Sequence, residues 1–198
     1  MFVQVIEGHV ADADRLHQQM DEWMKSLRPG AAGFLGSTAG VTDDGRAICF
    51  ARFESAAAAQ ANSDRPEQGQ WWADTESCFD GDVSFTDSED VEEMLAGGSN
   101  DAGFVQVMKS HDVDRDQVHA MDREFEAVAP TMRPDLIGGT RVWTGPHDCV
   151  EVAYFTSEAA AREGEQKEMP PELADRAADF EAMMKNTEFI DIHQPWLY

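Results

Sequence analysis

Basic residues are scarce in this sequence. It has 15 Lys and Arg residues against 39 Asp and Glu residues, which gives a formal net charge of −24. A surface with this charge repels phosphate backbones and anionic lipid headgroups, and the sequence shows no local basic patch that would reverse the effect. Nucleic acids and membrane surfaces are therefore not expected as partners.

Long apolar runs and cysteine motifs are also missing. No run approaches the roughly 20 apolar residues that span a bilayer, and the first residues lack the basic start of a signal peptide, so we expect a soluble, cytoplasmic protein. The cysteines, Cys49, Cys78 and Cys149, form no CxxC pair and are odd in number. This argues against a disulfide framework and a thiolate metal site, and small buried side chains are the expected role of the cysteines.

An internal repeat with an offset of 102 residues organises the chain. FVQVIEGHVADADRLH at residues 2–17 recurs as FVQVMKSHDVDRDQVH at residues 104–119, and 18 of the first 60 aligned positions are identical. Similarity of this extent indicates a duplicated unit. We predict a first repeat at 1–87, an acidic, glycine-rich connector with one short amphipathic turn at 88–102, and a second repeat at 103–198.

Each repeat predicts the order strand, helix, strand, strand, helix, strand. The FVQV segments are typical of strands, Asp12 and Asp114 lie where a helix N-cap belongs, and Ser55 and Ser157 precede alanine-rich second helices. This order is the ferredoxin-like one, in which helices cover a single face of the sheet. The strand AICFARF is apolar on both faces, so the second face needs a partner. We therefore predict an α+β fold in which two ferredoxin-like β-α-β-β-α-β repeats pack sheet to sheet as an intrachain barrel.

The element order, the FVQV pattern and the alanine-rich helix after Ser55 and Ser157 resemble the dimeric α/β-barrel superfamily, and within it the antibiotic biosynthesis monooxygenase-like branch. Two ferredoxin-like units normally dimerise through their sheets in that branch, and here they are fused in tandem. The resemblance implies cofactor-independent oxygenation of polyketide quinones, haem degradation, dye-type peroxidation, or a small protein without a known reaction. It covers nearly the whole chain but includes no catalytic motif, so it favours a fold rather than a reaction.

The haem-degrading branch uses an Asn on the first strand, a Trp on the second helix and a His shortly after it. This sequence has Gln4 and Gln106 at the first-strand position, offers Trp71 and Trp72 in one repeat only, and has no His between them and His111. Haem degradation is therefore disfavoured, and no cofactor is expected.

The repeated histidines do not predict a metal site. His9 and His17 are eight residues apart, and so are His111 and His119. That spacing suits neither a helical His pair nor a HExxH zinc site.

Several polar and aromatic side chains are candidate ligand contacts. Gln4 and Gln106 lie mid-strand between apolar neighbours, so each amide needs a partner, either another side chain or a bound molecule. Adjacent tryptophans on a helix point about 100° apart, so one of the pair at 71 and 72 is expected at a cavity mouth or interface, with packing as the alternative. The other candidate ligand-binding residues have no identical residue at the equivalent position of the other repeat. They are Arg52, Trp71, Trp72 and Trp143.

Glu151 and Tyr154, on the strand CVEVAYF, are the candidate catalytic residues. A carboxylate that faces an apolar interior has a raised pKa, which suits a general base for an enol or a phenol. Pairing of Glu151 with a basic side chain, or exposure at the sheet edge, is the alternative.

The candidate site is expected to be single. The large side chains named above are each present in one repeat only, and the second repeat alone has the helix segment PPELADRAADF. Two equivalent sites would instead retain matching polar side chains in both halves. We therefore expect one asymmetric site per chain.

Two functions from different classes stay open. One is a small-molecule-binding protein of the dimeric α/β-barrel type without a legible reaction. The alternative is a cofactor-independent monooxygenase-like enzyme acting on an aromatic or polyketide-like substrate, and whether the chain is an enzyme is left open. A cavity above roughly 300 Å³ lined by the candidate residues would favour the enzyme. The expected partner is a small aromatic molecule, and a homodimer of the fused chain is an open alternative.

Overall fold

The structure is a computed structural model that describes residues 1–168 and 176–198. Within these residues it has two antiparallel five-stranded sheets and six α-helices. The predicted α+β class with two β-α-β-β-α-β repeats is confirmed. The chain divides into an N-terminal unit, Met1–Val91 with Gln194–Tyr198, and a C-terminal unit, Glu92–His193. No helix in the described part of the chain is long and apolar enough to span a membrane.

The N-terminal unit begins its helices at the predicted caps. The Asp12 carboxylate accepts a hydrogen bond from the backbone N–H of Arg15, and the Ser55 hydroxyl accepts one from Ala58. Such caps satisfy backbone donors that the first helical turn leaves open. The elements in chain order are β1 (Phe2–His9), α1 (Ala13–Ser26), β2 (Phe34–Val41), β3 (Arg46–Phe53), α2 (Ala56–Ser63), α3 (Pro66–Glu76) and β4 (Ser84–Ser88).

The helices of the C-terminal unit begin at equivalent caps. Asp114 accepts from the backbone of Gln117, and Ser157 accepts from that of Ala160. The predicted helix segment PPELADRAADF begins outside the described residues, which resume at Arg176. The remaining elements of the chain are β5 (Val91–Met94), β6 (Phe104–Ser110), α4 (Arg115–Met132), β7 (Leu136–Trp143), β8 (Cys149–Phe155), α5 (Glu158–Glu165), α6 (Ala177–Met184), β9 (Thr187–Ile192) and β10 (Trp196–Leu197).

Each sheet takes one outer strand from the segment that follows the other repeat in sequence. The strand orders are β10-β2-β3-β1-β4 and β5-β7-β8-β6-β9, and Trp196 of β10 lies opposite Ala39 of β2. The predicted connector therefore contains a strand, and the amphipathic turn expected there was wrong. A strand forms because pairing with an open sheet edge satisfies backbone groups that an isolated turn leaves to solvent.

The two sheets share one register at the repeat offset. In the first sheet the pairing of β2 with β3 shifts between Phe34 and Gly36, and in the second the pairing of β7 with β8 shifts between Leu136 and Gly138. Side chains alternate between the faces of a strand, so an equal register puts residues 102 apart on equivalent faces. Residues at this offset can therefore be compared directly.

Each unit has a buried layer between its sheet and its helices. Leu16 of α1 and Ala47 of β3 share one buried cluster in the N-terminal unit. Their counterparts Val118 of α4 and Cys149 of β8 share one in the C-terminal unit. The contact between the sheet and the first helix is thus the same in both units. The later helices differ, because α3 ends at Glu76 whereas α6 continues to Met184, which corresponds to position 82.

Candidate functional site

An apolar cavity lies between the sheet and helices α1 and α3 of the N-terminal unit. Its volume is about 40 Å³. Helix α1 contributes Met20, β3 contributes Cys49, α3 contributes Trp71 and Trp72, and β10 contributes Trp196. The two tryptophans that the sequence singled out are thereby brought together with a third indole from a distant part of the chain.

The cavity is much smaller than a typical ligand pocket. A water molecule takes up about 30 Å³ in the liquid, whereas sites for drug-sized ligands measure about 300 Å³ or more. The observed volume of about 40 Å³ therefore does not meet the size that would favour the enzyme, and an aromatic ligand fits only if part of the wall moves.

The indoles of α3 reach from helix α1 to the protein surface. The Trp71 Nε1 donates a hydrogen bond of 2.9 Å to the backbone oxygen of Gln19 in α1. Trp72 meets Phe85 of β4 edge to face, with ring centroids 5.1 Å apart, and the Phe85 side chain is 47% exposed. Trp71 is thus held in place by its polar atom, while Trp72 lies between the cavity and solvent.

The small polar groups in the wall are neutral. The Thr75 hydroxyl donates to the backbone oxygen of Trp71 within α3, at 2.8 Å. Burial raises the pKa of the Cys49 thiol to about 12, and the nearby Arg52 guanidinium opposes this only in part. The thiolate is the nucleophilic form, so this environment disfavours Cys49 as a nucleophile.

Strand β10 closes one side of the cavity. The Trp196 ring lies flat on the His17 imidazole, with centroids 4.3 Å apart and planes inclined by 4°. Tyr198 exchanges backbone hydrogen bonds of 2.9 and 3.0 Å with Ser37, and its phenol donates to Asp21 Oδ1 at 2.7 Å. Burial and the bond to Asp21 raise the pKa of the Tyr198 phenol, so the phenol remains a donor.

The equivalent region of the C-terminal unit is filled by a buried arginine. Arg141, the counterpart of Ala39, has a side chain only 5% exposed. Its Nη2 donates to Asp122 Oδ1 at 3.0 Å and to Glu151 Oε2 at 2.8 Å, and its Nη1 lies 3.4 Å from Glu92 Oε2. Desolvation acts to lower the pKa of Arg141, but Asp122 and Glu151 outweigh it and raise the pKa.

Glu92 of β5 joins this arginine to a second group of charges. Its Oε1 lies 2.9 Å from Arg115 Nη2 and 2.9 Å from His119 Nε2. Desolvation acts to raise the pKa of Glu92, but hydrogen bonds from Arg115, His119 and Trp143 lower it to about 2. The Arg115 guanidinium lies 4.5 Å from the centroid of the Trp143 ring. Across the residues that the structure describes, no three His, Cys, Asp or Glu side chains are grouped as ligands for a metal ion.

The two candidate catalytic residues lie apart. Glu151 pairs with Arg141, the alternative that the sequence left open, and desolvation keeps the pKa of Glu151 raised despite that arginine. Tyr154 is fully buried three residues further along β8, so its side chain is on the opposite face of the strand. Its counterpart Arg52 donates from Nη1 to the Thr38 hydroxyl at 2.9 Å.

The two glutamines share one structural arrangement. Gln4 Nε2 donates to Asp87 Oδ1 and Gln106 Nε2 donates to Asp191 Oδ1, both at 2.9 Å. Each carboxylate lies directly across from its glutamine on the neighbouring edge strand. Neither glutamine lines the cavity of the N-terminal unit.

Sequence reasoning missed most of the residues that define these two regions. Cys49 was expected only to pack, and Ala39, Arg141 and Trp196 carried no expectation. A usable signal was present in the repeat, because small or apolar residues of the first copy align with charged ones in the second. Trp196 offered no such signal, since it belongs to the second repeat in sequence but pairs, through β10, with the sheet of the N-terminal unit.

Solved structures of the same fold match along the whole chain. A proposed monooxygenase from Lactobacillus acidophilus NCFM has a TM-score of 0.70 at 12% identity, covering 100% of this chain and 98% of that chain. A proposed monooxygenase from Fusobacterium nucleatum has a TM-score of 0.73 at 10% identity, covering 99% and 93%. An anthrone oxidase-like protein has a TM-score of 0.62 at 11% identity, covering 99% and 93%. The chain has the fold of these proteins.

At 10–12% identity this likeness confirms the predicted fold along the whole chain and nothing beyond it. No family model and no curated protein matches the sequence. One fold supports many reactions, so a shared fold at this level of identity does not identify a reaction. The function has to be argued from the two helix-facing regions.

Proposed function

We propose that the N-terminal unit binds a small, uncharged, planar apolar molecule between its sheet and helices α1 and α3. The observation that carries this proposal is the apolar, indole-walled cavity, which stands where the C-terminal unit has Arg141 and its carboxylates. At these aligned positions one copy has an apolar space and the other an ion-pair cluster. The C-terminal unit has its own cavity elsewhere, about 180 Å³ between the start of α4 and α6, and polar side chains such as Asp114 and Asp179 contribute to its wall. The difference at the aligned positions agrees with a single asymmetric site.

The chemistry of the wall selects for neutral aromatic compounds. Indole faces and the Met20 thioether are polarizable surfaces suited to flat rings. A chain with a net charge of −24 disfavours anionic ligands. Burial of about 150 Å² of ring surface at about 25 cal/mol per Å² stabilises a complex by about 4 kcal/mol, which corresponds to millimolar affinity. A single ring should therefore bind weakly, and two or three fused rings more tightly.

Binding can be tested by titrating the full chain with 2-naphthol, a neutral two-ring probe whose fluorescence is separable from that of tryptophan. We expect one probe per chain. Ala39→Val narrows the cavity and should weaken binding at least tenfold. The matched control is Ala153→Val, an equally buried alanine on a central strand of the C-terminal unit. Two equivalent probes per chain, or equal affinity in Ala39→Val, would contradict the proposal.

A second candidate is oxidation of the bound molecule by dioxygen, supported by the full-length likeness to two proposed monooxygenases. Anthrone is a suitable test compound because its methylene group supplies all four electrons and both hydrogen atoms: the carbon becomes a carbonyl with one oxygen atom of O₂, and the other oxygen atom leaves as water with the two hydrogens. The measurement is ¹⁸O incorporation above the spontaneous rate, with Ala39→Val as the blocked control. Glu151→Gln tests the predicted base, and we expect an unchanged rate because Arg141 already holds that carboxylate.

A further inference from the structure

The size of the cavity sets a condition on the proposed function. An engineered apolar cavity that holds benzene measures about 150 Å³, and the cavity observed here measures about 40 Å³. A fused-ring ligand therefore enters only when a side chain of the wall leaves. The question is which part of the wall moves at the lowest free energy.

Strand β10 is the wall element with the fewest restraints. It has two residues and pairs only with β2, at Ala39 and Thr38, whereas β1 and β3 are central strands paired on both sides. Elements with few paired backbone groups open locally at the lowest free energy. Helices α1 and α3 are in turn tied together by the bond from Trp71 to Gln19.

Trp196 already makes the contact that a flat ligand would make. Its ring is parallel to the His17 imidazole at 4.3 Å while it lines the cavity. A bound ring in the same place would keep the stacking surface of His17 covered. The loss of the Trp196 contact would then be compensated by an equivalent contact with the ligand.

We propose that the Trp196 indole occupies the position of the ligand's ring on His17, and that the gate, defined as residues Trp196–Tyr198, moves away when a planar aromatic molecule binds. This inference rests on the proposed function and adds two assignments to it. His17 is the residue that stacks on the ligand, and Trp196 is its internal competitor.

Tyr198 holds the gate in its closed position. Its phenol bonds to Asp21, which lies four residues after His17 and therefore on the same face of α1. Its backbone bonds to Ser37, and a Cβ at Gly36 (φ +145°) would lie only 2.5 Å from the Tyr198 oxygen, so a residue without a side chain permits this close contact. The anchoring bonds lie beside the stacked rings, where their loss would raise the open population.

The test is stopped-flow binding of 2-naphthol to the full chain and its variants. Tyr198→Phe removes the bond to Asp21 and should raise the association rate constant roughly three- to tenfold, with an unchanged dissociation rate constant, because only the closed state loses stability. Trp196→Ala should act in the same direction and more strongly. Leu197→Ala is the matched control, since Leu197 lies on the same strand but does not line the cavity, and it should behave as the unaltered chain.

The outcomes separate the two proposals. If the unaltered chain binds the probe and both Tyr198→Phe and Trp196→Ala leave the association rate constant unchanged, the gate is wrong and the binding site stands. A dissociation rate constant that rises in parallel with the association rate constant would also overturn the gate, because Trp196 would then cover the bound ligand. If neither the unaltered chain nor any variant binds the probe, the proposed function itself fails. Tyr198→Phe keeps the test valid should Trp196→Ala fail to fold.

Discussion

The N-terminal and C-terminal units use the same register and the same helix caps but fill the helix-facing layer in opposite ways. At three aligned positions one unit has small or apolar side chains beside a cavity, and the other has a buried arginine and two carboxylates. The aligned differences are Ala39 with Arg141, Cys49 with Glu151, and Met20 with Asp122. These three positions distinguish the apolar layer from the ionic one.

The outer strands β10 and β5, each of which follows one repeat in sequence and pairs with the sheet of the other, differ between the units in the same way. In the N-terminal unit β10 brings Trp196 onto His17 by stacking. In the C-terminal unit β5 brings Glu92 to His119, the counterpart of His17, by a contact of 2.9 Å. Each histidine therefore contacts the outer strand that comes from the other repeat, but His17 makes a ring-stacking contact while His119 belongs to a charge network. The comparison explains why binding is proposed for one unit only.

The largest expected effect comes from removing the arginine that fills the C-terminal layer. Arg141→Ala leaves the half-buried carboxylates of Asp122 and Glu151 without the buried cation that pairs with them, so the free energy of unfolding should fall by about 3–5 kcal/mol. The matched control is Arg176→Ala, whose ion pair with Glu124 is more exposed and should cost at most about 1 kcal/mol. Urea unfolding of the full chain measures both.

A triple substitution sharpens this result. Arg141→Ala combined with Glu151→Cys and Asp122→Met gives the C-terminal layer the residues of the N-terminal one. Because no carboxylate then lacks its cation at these positions, the triple variant should be clearly more stable than Arg141→Ala alone. A triple variant as unstable as the single one would show that the two layers are not interchangeable.

The reciprocal substitution should have the next largest effect. Ala39→Arg puts a cation into the apolar layer of the N-terminal unit, where no carboxylate stands at the positions of Asp122 and Glu151. We expect a loss of about 2–4 kcal/mol, limited by the freedom of a long side chain to reach solvent, and no binding of 2-naphthol. Ala57→Arg, on the exposed face of α2, is the control that should change neither quantity.

The fold was predictable because its determinants are local and occur twice. Asp12 and Ser55 cap their helices in the way their sequence positions indicate, and the second copy repeats both signals. The exchanged strands were not predictable in the same way. A two-residue strand has no periodicity, and its partner in the sheet lies more than 150 residues earlier in the sequence.

The candidate site was predictable only where its residues are chemically conspicuous. Trp71 and Trp72 stood out by type and do line the cavity. Ala39 and Cys49 contribute to the cavity because their side chains are small, and a small residue in a sequence does not indicate such a role. The pairing of Arg141 with Glu92 joins residues 49 positions apart, so it depends on the tertiary fold and on the exchange of β5.

The free energy of unfolding should depend on acid pH differently in variants of the ion pairs around Arg141. The pKa of Glu92 is about 2 against an ordinary 4.5, so its contribution is fully present above the ordinary value and is lost as the pH falls towards the folded one. At about 1.4 kcal/mol per pKa unit this contribution is at most about 3–4 kcal/mol.

Glu92→Gln isolates this contribution. The stability difference between the unaltered chain and Glu92→Gln should be largest near neutral pH and should shrink between about pH 5 and pH 2, measured by urea unfolding across that range. Glu151→Gln should not show this shrinking, because burial raises the pKa of Glu151 and its protonated form is the one favoured by folding. A pH-independent difference for Glu92→Gln would contradict the network.

The smallest expected effects come from the glutamines that the two units share. Gln4→Leu frees Asp87, which can turn to solvent, and should cost about 0.5 kcal/mol. Gln106→Leu frees Asp191, which keeps its contact with Arg162, but Gln106 is 8% exposed and its loss should cost about 1 kcal/mol.

Both glutamine variants should bind 2-naphthol as the unaltered chain does, because neither side chain lines the cavity. Loss of binding in either variant would move the site away from the indoles and back to the glutamine positions that the sequence first suggested. Equal weakening in both would indicate two equivalent sites and would break the asymmetry between the units.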